Sequence, residues 1–309
     1  MNMDNTPSRS GHATTSRPTA PGIWVVGIDG SPSSRHAALW ASGHVTGRGR
    51  ELHLLTAWHA PFLTREGWGG ITPAGHEPFE SSGREHVERL ANQVRSSVEV
   101  PVEPIVCHGG AASCLLDAAG HGDLLVVGSR GRGGFTRLTL GSTSTQCATH
   151  AEVPTAVIPL GAPIGPVRRI VVGIDGSPNS IAAARWAIDF ADAGSVVECV
   201  MAWDVTPLIT SAESYVVPEA TELVRRRFVD TMNELRRSAN RRDLQIVQRF
   251  EEGLPRRLLD RAAQQCDLFV MGARGQGAIS SMLLGSVSSW LLHHLDRPIV
   301  VVPDPAPSS

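Results

Sequence analysis

The sequence predicts an α/β fold: two tandem doubly wound domains, each a five-stranded parallel sheet in the order 3-2-1-4-5 flanked by helices. Three observations carry this. The chain is duplicated over nearly its whole length. Its strands read as unbroken apolar runs between helical patterns. Glycine-rich turns follow the same two strands of each copy.

The duplication is explicit. Val25-Val26-Gly27-Ile28-Asp29-Gly30-Ser31-Pro32 recurs as Val171-Val172-Gly173-Ile174-Asp175-Gly176-Ser177-Pro178, 146 residues later. Gly128-Ser129-Arg130-Gly131 recurs as Gly272-Ala273-Arg274-Gly275, and Gly141-Ser142 as Gly285-Ser286, both at an offset of 144. A period this long is a domain rather than a solenoid repeat. The predicted domains are 22–160 and 168–304. The Gly/Pro-rich stretch 161–167 between them can continue neither a helix nor a central strand. Residues 1–21 and 305–309 read as tails; the first is polar, rich in Ser, Thr, Pro and Gly, and lacks the apolar core of a signal peptide.

The elements of copy one follow in order. Ile23 to Ile28 is an apolar run ending in Asp-Gly-Ser-Pro. A helix from about Ser33 to Val45 comes next, with Ser33 or Ser34 as candidate N-cap. Leu52 to Trp58 is strand two. Beyond a long Gly-rich loop, Glu85 to Val94 reads as a helix and Val102 to Cys107 as strand three. Then come a helix at Ala111 to Ala119, strand four at Leu124 to Val127, a helix at Ser142 to Thr149 and strand five at Thr155 to Ile158. Copy two follows the same plan. Continuous apolar strands are buried on both faces, as in a parallel sheet covered by helices, and right-handed crossovers then wind each sheet doubly.

Composition narrows the function. All 28 basic side chains among the 309 residues are arginine. Without lysine there is no Walker A grip, no kinase-type strand lysine and no Schiff base. A net charge of −2 and 5% aromatic residues do not suggest a nucleic-acid surface. No apolar run approaches the roughly 18 residues of a membrane span, and the expected location is cytoplasmic. The five cysteines are odd in number and form no C-x-x-C, so neither a disulfide framework nor a zinc ribbon is expected. Cys107 and Cys199 fall on strand patterns and are expected in the core. The Cys107-His108 pair has no partner at ligand spacing, so no zinc site is expected.

The glycine turns follow strands one and four, which flank the topological switch point of a 3-2-1-4-5 sheet. Ligands bind there, outside the carboxyl ends of the strands. Asp29 and Gly128 should therefore face each other across one crevice, and Asp175 and Gly272 across another. The second motif reads G-x-x-G-x9-G-S. Its glycines let backbone N–H groups approach an anion closely, and Gly141-Ser142-Thr143-Ser144 opens a helix whose N-terminus attracts phosphate. Hydroxyls of Ser142 and Ser144, with Arg130 or Arg274, could complete a phosphate grip without lysine.

At these residues the chain resembles the universal stress protein family in its tandem two-domain form, over about residues 22 to 304. That family contains members that bind ATP and members that do not, and the glycine motif marks the binders; both copies here carry it complete. The resemblance implies that Asp29 contacts the ribose side. It implies that Gly128, Ser129, Arg130, Gly131, Arg132, Gly133 and Gly134 wrap the phosphates, capped by Gly141, Ser142, Thr143 and Ser144. In copy two the matching residues are Asp175; Gly272, Ala273, Arg274, Gly275, Gln276, Gly277 and Ala278; and Gly285, Ser286, Val287 and Ser288. Gly27 and Gly173, just ahead of the aspartates, complete the candidate set. Ala57 and Ala202, at the ends of strand two, are assigned to the adenine pocket.

The expected function is a nucleotide-dependent regulator of a stress or dormancy response, with one ATP per domain, Mg²⁺ as companion, no side-chain metal site and little or no catalysis. No paired general acid and base is evident near the crevice. The alternatives are a slow ATPase or nucleotidyl-transfer enzyme using the same crevice, and a scaffold that binds no nucleotide. Expected partners are limited to ATP, pairing of the two domains through their fifth strands and a homodimer; nucleic acid and membrane are not expected. Arg132, Gly134 and Arg137 of copy one become Gln276, Ala278 and Ser281 in copy two, so copy one should hold ATP more tightly. The arginine-rich stretch from Arg225 to Arg242 carries Val224, Phe228, Met232 and Leu235 at helical spacing and reads as a solvated helix face. His293-His294 ends a helix, where the dipole favours it.

Overall fold

A computed structural model describes residues 22–49, 51–58, 77–120, 122–131, 140–205, 217–275, 284–294 and 296–304. The first unit runs β1 (Ile23–Gly27), α1 (Pro32–Val45), β2 (Glu51–Trp58), α2 (Glu77–Arg95), β3 (Val102–His108), α3 (Ala111–Ala119), β4 (Leu124–Gly128), α4 (Ser142–His150) and β5 (Thr155–Ile158). The second runs β6 (Arg169–Ile174), α5 (Pro178–Phe190), β7 (Val196–Trp203), α6 (Val217–Ala239), β8 (Gln245–Glu252), α7 (Pro255–Ala263), β9 (Leu268–Gly272), α8 (Ser286–His294) and β10 (Ile299–Val302).

The strands lie in one sheet, ordered β3-β2-β1-β4-β5-β10-β9-β6-β7-β8. Each unit is parallel in the predicted order 3-2-1-4-5. β5 and β10 pair antiparallel, Val157 opposite Ile299 and Thr155 opposite Val301. Each thereby covers the unpaired edge of the other, and the two sheets become one.

The apolar runs explain the layers. β4 and β5 are buried at every residue. Alternate residues feed two cores: Val26, Leu52, Leu54 and Val126 pack under α1 and α2, while Val25, Leu55, Leu125 and Val127 pack under α3 and α4. The first core is continuous between the units, because α1 and α5 meet there. Trp40 stacks on Phe190 with ring centroids 6.3 Å apart, and His44 lies 4.7 Å from Trp40 and 6.2 Å from Phe190. Trp186 stacks on Phe190 at 4.8 Å. Arg48 Nε donates to the Phe190 carbonyl at 2.9 Å, and its guanidinium pairs with Asp192. Trp40 and His44 occupy the repeat positions of Trp186 and Phe190, so the contact is nearly two-fold, with one histidine replacing a phenylalanine.

Three expectations need correction. The N-cap of α1 is Ser31, not Ser33 or Ser34: its Oγ accepts from Ser34 N–H at 3.1 Å and Pro32 takes the first helical position. Ser177 does the same for α5. α2 begins eight residues before the predicted Glu85. Cys107 is half-buried at the end of β3 and forms a disulfide with Cys114, so it is no core thiol. Cys199 is buried in the core as expected.

Along α6, Phe228, Met232 and Leu235 are buried, while Arg226 pairs with Glu222 at 2.9 Å on the outer face. His294 closes α8 with its ring stacked on Trp290 and hydrogen-bonded to that residue's carbonyl at 2.7 Å. Among the described residues no helix is long and apolar enough to cross a membrane.

Candidate functional site

Each crevice is built by three close approaches at the carboxyl ends of β1 and β4. The turn after β1 is tied by Ser31 N–H, which donates to Asp29 Oδ1 at 2.9 Å, with Gly30 at φ 82°. This Asx turn fixes the carboxylate at the strand end and starts α1. In the second unit Ser177 N–H donates to Asp175 Oδ1 at 2.9 Å and Gly176 has φ 83°. β4 then ends on Gly128, where a Cβ would sit 2.7 Å from the Ser33 backbone; at Gly272 it would sit 2.9 Å from that of Asn179. Side chains are excluded there because the first turn of α1 or α5 packs directly on the strand. Three residues on, a Cβ on Gly131 would sit 2.6 Å from Asp29 Oδ2, and one on Gly275 would meet Asp175. The bare backbone at Gly131 thus lies against the carboxylate.

The third approach is the helix after the glycine turn. Gly141 caps α4, its N–H bonded to the Ser129 carbonyl at 2.8 Å; Gly285 bonds to Ala273 at the same distance. Ser144 Oγ donates to the Gly128 carbonyl at 2.6 Å, and Ser288 Oγ to Gly272 at 3.0 Å. These buried serines pin the helix to the strand, so their single proton is engaged within the protein. The hydroxyls of Ser142 and Thr143, by contrast, belong to a helix N-terminus whose amides open on the crevice.

The first cavity has a volume of about 560 Å³ and the second about 330 Å³, in the range of small-molecule sites. Gly27, Asp29, Ala57, Gly128, Arg130, Gly131 and Gly141 to Ser144 line the first. Gly173, Asp175, Ala202, Gly272, Arg274, Gly275 and Gly285 to Ser288 line the second. Ser129 and Ala273 do not. They are buried, with their N–H groups bonded to Ile158 and Val302 of the neighbouring strands. Arg132, Gly133, Gly134, Gln276, Gly277 and Ala278 lie outside the described residues.

The floor of each crevice is apolar and is formed by residues outside the predicted site set. Ala111 and Leu115 of α3, with Leu55, Val127 and Leu140, line the first cavity; Pro255 and Leu259 of α7 take the same places in the second. The signal was present: position i and i+4 of a helix that starts beside strand two. Among the described residues, one carboxylate and one guanidinium are the only charged groups lining each cavity.

The fold and this paired site invite comparison with known proteins. The profile of the universal stress protein family matches residues 24–159 and again 166–303. The chain belongs to the universal stress protein family. Among its relatives, a universal stress protein of Mycolicibacterium smegmatis is 29% identical over 293 residues, covering 90% of this chain and 96% of the relative. One of Mycobacterium bovis is 30% identical over 301 residues, covering 90% and 93%. The crystal structure of a universal stress protein from Archaeoglobus fulgidus superposes with a TM-score of 0.66 at 17% identity, covering 92% of this chain and 98% of that one, which supports the fold.

Within this universal stress protein the polar contacts around the two crevices differ among the described residues. In the first, Arg130 N–H donates to Ser33 Oγ at 3.3 Å, where the second has Asn179. In the second, the carboxylate of Asp304, just beyond β10, pairs with Arg274 and accepts from Asn179 Nδ2. The matching position in the first unit is Leu160, which is 60% exposed. Asp304 was not foreseen.

Elsewhere, one group of metal-ligand side chains converges among the described residues. His53 Nε2 lies 2.9 Å from Glu51 Oε2 and 3.5 Å from Glu103 Oε2, near the amino ends of β2 and β3 and away from the crevice. In the second unit the same strand position is Glu198, buried between Arg169 and Arg249, the latter at 3.0 Å.

Proposed function

We propose that this universal stress protein binds ATP in both crevices and serves as a nucleotide-dependent regulator of a stress or dormancy response. The observation that carries the reading is the twofold occurrence of one cradle. In each, glycines with no room for a side chain, a helix N-terminus and an arginine surround a space beside a strand-end carboxylate. Backbone amides and the helix end favour the phosphates, Arg130 or Arg274 adds charge-assisted bonds, and Asp29 or Asp175 accepts from a ribose hydroxyl. Ala57 or Ala202 and the floor from α3 or α7 offer the apolar surface an adenine ring needs. The bare backbone at Gly131 and Gly275, beside the strand-end carboxylate, fits a ligand that approaches the backbone, while Gly128 and Gly272 serve the packing of α1 and α5. A magnesium ion accompanying the triphosphate offsets its charge.

The same inventory favours retention over turnover. A hydrolase needs a group to activate water, and among the described residues each lining holds a single carboxylate, already engaged with the Ser31 or Ser177 amide. The test is to extract nucleotide from the purified full chain, identify it by mass, and titrate the emptied protein with Mg-ATP calorimetrically. Bound ATP and a saturating heat are expected. Absence of both overturns the reading, and turnover lost on Asp29→Ala would replace it with an ATPase.

A further inference from the structure

We infer that Cys107 and Cys114 form a thiol–disulfide site, oxidised by hydroperoxides, that sets the nucleotide affinity of the first crevice alone. The regulatory half of this inference rests on the proposed nucleotide binding; the redox half does not.

The bridge joins two walls of one cavity. Cys107 is the ladder partner of Ala57, which lines the crevice from β2. Cys114 sits in the first turn of α3, beside Leu115 and one turn from Ala111, both of which line the same crevice from α3. The turn between them is lean. Gly109 has φ 147°, donates to the Trp58 carbonyl at 2.9 Å, and would bring a Cβ to 3.4 Å from Cys114 Sγ; Gly110 caps α3 without a side-chain bond. The disulfide is therefore a covalent tie across a seven-residue separation in a turn with few other anchors.

The second unit serves as an internal control. Its turn has the same shape, with Gly253 at φ 141° donating to Trp203 at 2.9 Å. The two positions there are Glu251, paired with Arg261 at 2.7 Å, and Leu258, packed against Gly253. No bridge can form, so oxidation discriminates between the crevices.

The remaining cysteines keep the chemistry local. Cys147, Cys199 and Cys266 are buried thiols, and burial pushes each up to about 12, so they hold little thiolate to react. Cys107 is half-buried and within reach of a small oxidant. Its thiolate attacks one oxygen of hydrogen peroxide and becomes a sulfenic acid as the O–O bond breaks. The hydroxide that leaves takes up the proton the thiol had given to solvent and departs as water. The Cys114 thiol then attacks that sulfur, and the sulfenic oxygen leaves as a second water. Two thiols are oxidised by two electrons and one hydrogen peroxide is reduced. Thiol exchange with a small reductant reverses the step. Fixing α3 against β3 holds both crevice walls in place before the ligand arrives, which favours binding. By linkage, bound nucleotide protects the bridge from reduction to the same degree.

The experiment uses the full chain carrying Asp175→Ala, so that the first crevice is read, with and without Cys107→Ser/Cys114→Ser. Each is prepared in a phosphine reductant or after stoichiometric hydrogen peroxide. Thiols are counted in denaturant, amide exchange is followed over α3, and Mg-ATP is titrated. Oxidation should lower the count from five thiols to three, slow exchange in α3 and tighten ATP about three- to tenfold. The serine variant should show none of these changes. Five thiols remaining after peroxide overturn the inference, and so does a count of three with unchanged affinity. If neither state binds ATP, the nucleotide reading fails by itself. The redox site then stands on the thiol count and α3 exchange, and falls if either is unmoved.

Discussion

The two crevices share a backbone and differ in what surrounds it. Both have the Asx turn at the strand end, the glycine pressed against it and the capped helix. Around the first, a disulfide ties β3 to α3 and the position after β5 is an exposed leucine. Around the second, the disulfide positions hold Glu251 and Leu258, and Asp304 occupies Arg274 and Asn179. On the proposed nucleotide reading, a phosphate entering the second crevice displaces the Asp304 carboxylate from Arg274. Duplication has kept the parts that shape the cradle and varied those around it; under the proposed nucleotide reading, that is one binding chemistry run at two affinities.

Four predictions sharpen or break this comparison. The largest concerns the near-symmetric contact between the units. Burial, with Arg48 adding to it, lowers His44 from 6.5 to about 4, and its Nε2 has no partner among the described residues. The folded state keeps the ring neutral while the unfolded state protonates below 6.5, so stability is intact above that value. It is lost as pH falls toward 4, by about 3 kcal/mol in all. His44→Phe, which installs the residue of the second unit, should flatten the stability–pH profile over that window in chemical denaturation. An unchanged slope would show that the interface does not sense His44.

Gly128→Ala should cost about 2 kcal/mol, because the new methyl meets the Ser33 backbone at the start of α1. Gly272→Ala, with slightly more room against Asn179, should cost less. Urea midpoints compare the two, and a reversed order would contradict the packing argument.

Asp304→Asn should free Arg274 and tighten the second crevice about fivefold, the scale of a partly exposed ion pair. Calorimetry on an Asp29→Ala background measures it; no change would remove Asp304 from the account. The smallest effect is the converse, Leu160→Asp, which should weaken the first crevice by about two- to threefold if the added carboxylate reaches Arg130.

Much of this was legible in the sequence, and the reasons are physical. Apolar runs such as Leu124–Val127, too short for helices and bounded by glycine, fit buried strands, and the duplication tested each assignment twice. The convergence of Asp29 with Gly128 followed from the strand order alone. Ala57 and Ala202 were reached by the same adjacency. What the sequence hid were contacts with no period or local motif. Asp304 lies 30 residues beyond Arg274 and meets it only because β9 and β10 are neighbours. Cys107 and Cys114 lie in a strand and a helix, and their bridge depends on the tight turn at Gly109. The cap was misplaced although Pro32 marked it, since a proline at the first helical position puts the cap at Ser31. Ser144, a candidate phosphate donor by sequence, gives its proton to the Gly128 carbonyl.

The central claim is that the first crevice holds ATP more tightly than the second. The most direct test titrates Mg-ATP into the oxidised chain carrying Asp175→Ala and, separately, Asp29→Ala. The account predicts that the protein with the first crevice intact binds at least about tenfold more tightly than the protein with only the second. Equal affinities, or the opposite order, would contradict it.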